Sequence, residues 1–278
     1  MSITFALKCG IREFLRNLKS IDVIEPPYGT MFNSRVSGKT SRVLSSIIEE
    51  LDNSILIDIK EFDTQRRSHF PEAMGADWID LINIIGLLKI TSPRKILELG
   101  SGVSTAAFVS IQSKVDYNSE FLSLDDSHQW GELTEKLIKQ IYFNTGKCDY
   151  KQVISPSKIF SVNNKKTVGY EHYPKGHWDF IYIDGPPIPD STLGIKKANC
   201  CLDPIRLNSI REDTIILIDG RNANVKYLSE SLKVCKNSKW KRYKFAYPSD
   251  DTLFLNLDNK NYSEIISFFS GSLNSSSL

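Results

Sequence analysis

The chain has 278 residues, 41% of them hydrophobic and 24% charged, with 35 Lys and Arg against 33 Asp and Glu. That describes a soluble globular protein, long enough for one large domain with an appended cap, and the formal charge of +2 gives no field of one sign to grip a phosphate backbone, so nucleic acid is not an expected partner. No apolar stretch approaches the roughly 20 residues of a membrane span, the N-terminus lacks a secretory pattern, and five cysteines without C-x-x-C spacing fit free thiols in a reducing compartment, which makes the cytoplasm the expected location.

In chain order, Ile3, Leu7, Ile11, Phe14, Leu15 and Leu18 recur at helical spacing between Lys8, Arg12, Arg16 and Lys19. This predicts an amphipathic helix packed on its own domain, with an anionic membrane or a second subunit as the other readings of its basic face. Pro26-Pro27-Tyr28-Gly29 then breaks the pattern. Residues 42–51 read as helix, 54–59 as a short strand or loop, and 76–89 as a strong helix. We therefore expect a helical N-terminal extension or cap over 1–75, a main domain over 76–269, and a disordered Ser-rich tail over 270–278.

From residue 95 the grammar changes. Short apolar runs at 95–99, 121–124, 150–154, 178–183 and 214–218 are predicted strands, and most of them are separated by helical patterns. Such runs indicate an α/β fold: a Rossmann-like, doubly wound, mostly parallel sheet covered on both faces. Two further runs, 240–247 and 252–257, are too close for a parallel crossover and predict an antiparallel C-terminal hairpin.

Gly100-Ser101-Gly102 follows the first strand and opens a helix, so backbone N–H groups can meet a ligand without interference from Cβ. Asp125 ends the second strand, 23 residues beyond Gly102, where a carboxylate can accept bonds from both ribose hydroxyls. Together they indicate an adenosine nucleoside or nucleotide. A nicotinamide fingerprint would place Gly or Ala where Thr105 stands, which counts against a dinucleotide.

Glu98-Leu99-Gly100-Ser101-Gly102 resembles the first motif of class I S-adenosylmethionine-dependent methyltransferases. Asp125, followed by His128 and Trp130, resembles that family's second acidic position, and 178–184 its fourth-strand motif; the closing hairpin fits its seven-stranded sheet. The resemblance spans about residues 76–257. It implies S-adenosyl-L-methionine as cofactor, with Glu98, Gly100, Ser101, Gly102, Ser104, Asp125, Asp126, Ser157 and Asp184 as the residues around it. Asp219-Gly220-Arg221-Asn222 also resembles a turn in methyltransferase-like proteins, some of them associated with surface-glycan synthesis.

Methyl transfer to a hydroxyl or amine needs a base or a metal to take the proton. Asp184, Asp219 and His172 are the candidate catalytic groups, and Arg221 and Tyr173 the candidate substrate contacts. A metal-dependent branch of the family follows the fifth-strand acid with Asn; here Gly220 follows Asp219 and Asn222 is the nearest substitute, so Mg2+ is not favoured and no metal ligand is assigned. Arg221 reads either as an anion contact or as an ion-pair partner of Asp184 or Asp219. The expected activity is methyl transfer to oxygen on a small molecule or glycan precursor, with homo-oligomerisation left open. A catalytically inactive protein of the same fold and a nicotinamide-dependent dehydrogenase are the alternatives.

Overall fold

The apolar runs at 96–99, 121–124, 180–183 and 215–218 are buried on both sides, which is why they are continuous rather than alternating. The computed structural model describes residues 53–71, 78–114, 118–142, 148–186, 199–234, 239–245, 249–270 and 273–276. In chain order its elements are α1 (Asn53–His69), α2 (Trp78–Thr91), β1 (Lys95–Leu99), α3 (Val103–Lys114), β2 (Ser119–Asp125) and α4 (His128–Tyr142). Next come β3 (Cys148–Ile154), β4 (Ser157–Val162), β5 (Lys165–Tyr170), β6 (Phe180–Ile183), β7 (Asn199–Cys200) and α5 (Asp203–Arg206). The chain continues through β8 (Ile215–Ile218), α6 (Asn222–Val234), β9 (Trp240–Phe245), β10 (Thr252–Asn256), α7 (Tyr262–Phe268) and β11 (Leu273–Ser276).

The main sheet has the order β11-β9-β10-β8-β6-β1-β2-β3. Strands β3, β2, β1, β6 and β8 are parallel, and β10 runs antiparallel to β8 and β9. The order reverses between β1 and β6, so a crevice for ligand lies outside their carboxyl ends. Along β6 the period of two sends Phe180 and Tyr182 to one face and Ile181 and Ile183 to the other. On the first face Phe108 of α3 packs on Phe121, Phe180 and Tyr182, with ring centroids 5.1, 5.9 and 5.8 Å away. On the second, Leu228 and Leu232 of α6 join Leu97, Leu124, Ile216 and Phe254.

Three features depart from the sequence reading. Residues 54–59, expected as strand or loop, belong to α1, because the helical period shows only over a longer window: Ile55, Ile59 and Phe62 all enter the core around Phe108. At least this part of the predicted extension is thus continuous with the main domain; the predicted helices at 3–18 and 42–51 lie outside the described residues. The tail predicted to be disordered carries β11, whose Leu273–Ser276 pair with β9 and add an eighth strand to the expected seven. Composition misses it because an edge strand is held by backbone hydrogen bonds, and it covers an edge that β9 would otherwise leave open.

The third is a small second sheet, β4-β5-β7, whose first two strands fall between β3 and β6 and whose third follows β6. Its hairpin turns at Asn163 and Asn164, both left-handed (φ 51° and 62°), as a two-residue turn between twisted strands requires. Among the described residues no helix is long and apolar enough to cross a membrane.

Candidate functional site

At the switch point β1 ends in a turn that only glycine can make. Gly100 has φ +97°, and a Cβ there would lie 2.7 Å from the Gly185 backbone nitrogen. Leu99 O accepts the N–H of Asp184 at 2.8 Å and that of Gly185 as well, tying the loop after β6 to the loop after β1. Gly185 is equally confined: a Cβ there would meet Gly100 Cα and Tyr170 Oη, each at 2.6 Å.

Glu98 organises the loop from beneath. Fully buried, it accepts hydroxyl bonds from Ser104, Thr105 and Ser123, each at 2.6 Å. Burial pushes its carboxyl up to about 7, against the pull of the three hydroxyls. Thr105, the departure from a nicotinamide fingerprint, links this acid to the second glycine: its Oγ1 donates to Glu98 and accepts the Gly102 N–H at 2.8 Å. Ser104 is buried with its hydroxyl on Glu98, so it supports the loop rather than facing the crevice.

Asp125, at the end of β2, grips the same loop from the side. Its Oδ2 accepts from Ser101 N (2.9 Å) and Ser101 Oγ (2.7 Å), and its Oδ1 from Ser127 N (2.8 Å). Burial raises its pKa despite these bonds. Asp126 accepts from Ser157 Oγ at 2.8 Å, so these two predicted residues are brought together. Trp130 Nε1 donates to Ser101 O at 2.6 Å, and its ring packs on Phe70 (5.4 Å between centroids) under the Arg66 guanidinium (5.3 Å). Arg66, 1% exposed, is paired with Asp63, and sequence reasoning missed its part in the site. His128, expected beside Trp130, is exposed and pairs with Glu132.

The acids after β6 and β8 also meet. Arg221 donates to Asp184 Oδ1 at 3.1 Å, to Asp184 O, and to Pro186 O at 3.1 Å, so the ion pair with Asp184 is present. Asp184 is raised well above the usual carboxylate range, first by desolvation and then by the charge of Asp219. Asp219 also lies among Asp80, Asp250 and Asp251, a group that sequence spacing could not reveal.

Two predicted residues make no hydrogen bond to the acids after β6 and β8 among the described residues. Tyr173, 8% exposed, packs in the core with Trp178 and hydrogen-bonds Ser209 Oγ at 3.0 Å, because an aromatic beside a histidine has an apolar body to bury. His172 is exposed; its backbone N–H donates to Ser155 Oγ, and among the described residues no hydrogen bond or ion pair joins its ring to Asp184 or Asp219. The tyrosine at the crevice is Tyr170, whose fully buried hydroxyl has no hydrogen-bond partner among the described residues.

No family model and no curated protein matches this sequence. Among solved structures, an O-methyltransferase from Bacillus cereus in complex with SAH aligns at TM-score 0.50 and 14% identity, over 77% of this chain and 94% of that one. An SAH-bound methyltransferase from Podospora anserina aligns at 0.49 and 15% identity, over 81% and 98%. Together with the sheet order and the position of the switch point, the first of these likenesses shows that the chain has the class I S-adenosylmethionine-dependent methyltransferase fold.

Proposed function

We propose that the protein is an S-adenosyl-L-methionine-dependent methyltransferase acting at oxygen on a small molecule or glycan precursor. The observation that carries this reading is the glycine loop at the switch point, held by Glu98 below and Asp125 beside it. Space and polarity beside the loop support such a ligand: among the described residues a Cβ on Gly102 would meet only the Trp130 ring, at 4.0 Å, and the Tyr170 hydroxyl next to Gly185 has no hydrogen-bond partner.

Bound there, the cofactor supplies a methyl group on a sulfonium, whose displacement depends mainly on alignment. Backbone N–H groups of 100–102 would face its methionine part, and Asp125 would exchange a bond to Ser101 for the ribose. Ser157 and Asp126 would border the adenine. Asp184 is the group we assign to take the acceptor's proton, with Asp219 beside it and Arg221 fixing its orientation. Tyr173 is left out of this arrangement by its burial in the core, and His172 lies next to Ser155, whose backbone bonds Asp125. The near-balanced charge favours a small acceptor over nucleic acid.

One observation favours the inactive alternative: both oxygens of Asp125 are already engaged by Ser101 and Ser127. Calorimetric titration with S-adenosylhomocysteine decides between them. Saturable one-site binding, weakened at least tenfold by Asp125→Ala, is the expected result, since a hydrogen bond to a charged group contributes about 1.5–3 kcal/mol. Asp184→Asn should keep that affinity and lower turnover. No binding by the wild-type protein would overturn the reading.

A further inference from the structure

Asp80 in the first turn of α2, Asp219 after β8, and Asp250 and Asp251 before β10 each bring a carboxylate oxygen to within 4.8 Å of the other three. Such a gathering is unfavourable unless something offsets it, because buried like charges are both desolvated and mutually repelled. Asp251 is the decisive member. It is 0% exposed, and neither of its carboxylate oxygens has a hydrogen-bond partner among the described residues. The charges acting most strongly on it, those of Asp80, Asp219, Asp250 and Asp184, all share its sign. Glu98, equally buried, shows what a carboxylate does when the fold satisfies it with protein donors: it has three.

The surroundings hold these oxygens in place. Ser249 Oγ donates to Asp80 Oδ1 at 2.6 Å, while accepting from Asn83 Nδ2 at 3.3 Å and from Asp251 N at 3.2 Å. Gly220, with φ +44°, lets Asp250 lie against the backbone; a Cβ there would be 2.5 Å from Asp250 Oδ2. Asp250 is exposed while Asp80 and Asp251 are buried, so the group has a solvent-side entrance and a closed floor. The fully buried Tyr182 hydroxyl, also without a hydrogen-bond partner among the described residues, is acted on by Asp219, Asp184, Asp251 and Asp80.

We infer that Asp80, Asp219, Asp250 and Asp251 form a binding site for one hard divalent cation, which clasps α2, the end of β8 and the β9–β10 hairpin together. All-carboxylate oxygen donors select this class of ion. Opposite ligands lie about 4.6–5.2 Å apart around Ca2+ and about 4.0–4.2 Å apart around Mg2+, so oxygens all within 4.8 Å of one another can be spanned by a single ion of this class. The ligand set differs from the one that the metal-dependent resemblance implies: Asp184 is paired with Arg221, and Asn222 is exposed at the start of α6. The inference goes beyond methyl transfer and does not depend on it.

The test is titration of the chelator-treated full chain with CaCl2, MgCl2 or MnCl2, without methyl donor, followed by calorimetry and by the thermal midpoint. Wild-type protein should bind one equivalent and gain midpoint with cation. Asp251→Asn and Asp80→Asn should each weaken binding at least tenfold, and Asp251→Asn should have a cation-free midpoint no lower than wild type, because it loses a like charge. Saturable binding lost in either folded variant supports the site. Absence of one-equivalent binding for all three ions, or binding unchanged in both variants, overturns it. Because no donor is present, neither outcome bears on the S-adenosylmethionine reading.

Discussion

The molecule buries carboxylates at two places along the same sheet edge and treats them oppositely. Glu98 under the glycine loop is surrounded by hydroxyl donors, whereas the carboxylate oxygens of Asp251 beside β8 have no hydrogen-bond partner among the described residues, and the charges acting on it most strongly are those of other carboxylates. The first arrangement is complete as folded and serves to shape a loop. The second lacks protein donors among the described residues, and in our inference a cation completes it. Burial alone therefore does not distinguish a structural acid from a binding one; the inventory of donors does.

The sharpest way to break the comparison is Glu98→Ala, which leaves the Ser104, Thr105 and Ser123 hydroxyls facing a hole. Each orphaned buried group costs about 1–3 kcal/mol, so a loss on the order of 4 kcal/mol is expected in denaturant unfolding. A cost below about 1 kcal/mol would show that the loop does not depend on this acid. Next in size is a pH effect. Because the folded state raises Glu98 from 4.5 to about 7, its contribution to stability is fully present below about pH 4.5 and is lost as pH rises through about 7. Relative to Glu98→Gln, wild-type protein should lose roughly 3 kcal/mol over that interval. A pH-independent difference between the two proteins would contradict it. The smallest effect is expected at the other region: in cation-free buffer Asp251→Asn should leave stability unchanged or raise it by about 1 kcal/mol at most, as the new amide can donate to neighbouring carboxylates.

What the sequence discloses is local. The strand-turn-helix around Gly100 and Gly102, the acid ending β2 and the acids ending β6 and β8 each lie within one element or turn, where residue type and spacing carry the signal. The periodicity of α1 is hidden by the six apolar-rich residues at 54–59. The β4–β5 hairpin escapes notice although Asn163-Asn164 marks its turn, because Lys158, Ser161 and Lys166 leave its strands without an apolar pattern. The sequence reading takes Tyr173 as a substrate contact while Tyr170 stands at the crevice, since nearness along the chain says nothing of which way a ring points. The acidic group is furthest from legible: α2, β8 and the β9–β10 hairpin supply it from distant parts of the chain, and only the packing of α2 against the sheet unites them.

Ile55, Ile59 and Phe62 on α1 lie in the main core, and Arg66 and Phe70 at its end bear on Trp130, the residue that holds Ser101. A fragment starting near residue 76, where the sequence alone would draw the domain border, would therefore bare greasy surface beside Phe108 and unbrace one wall of the crevice. Such a piece is expected to express as aggregate, and a soluble minimal domain has to begin upstream of α1.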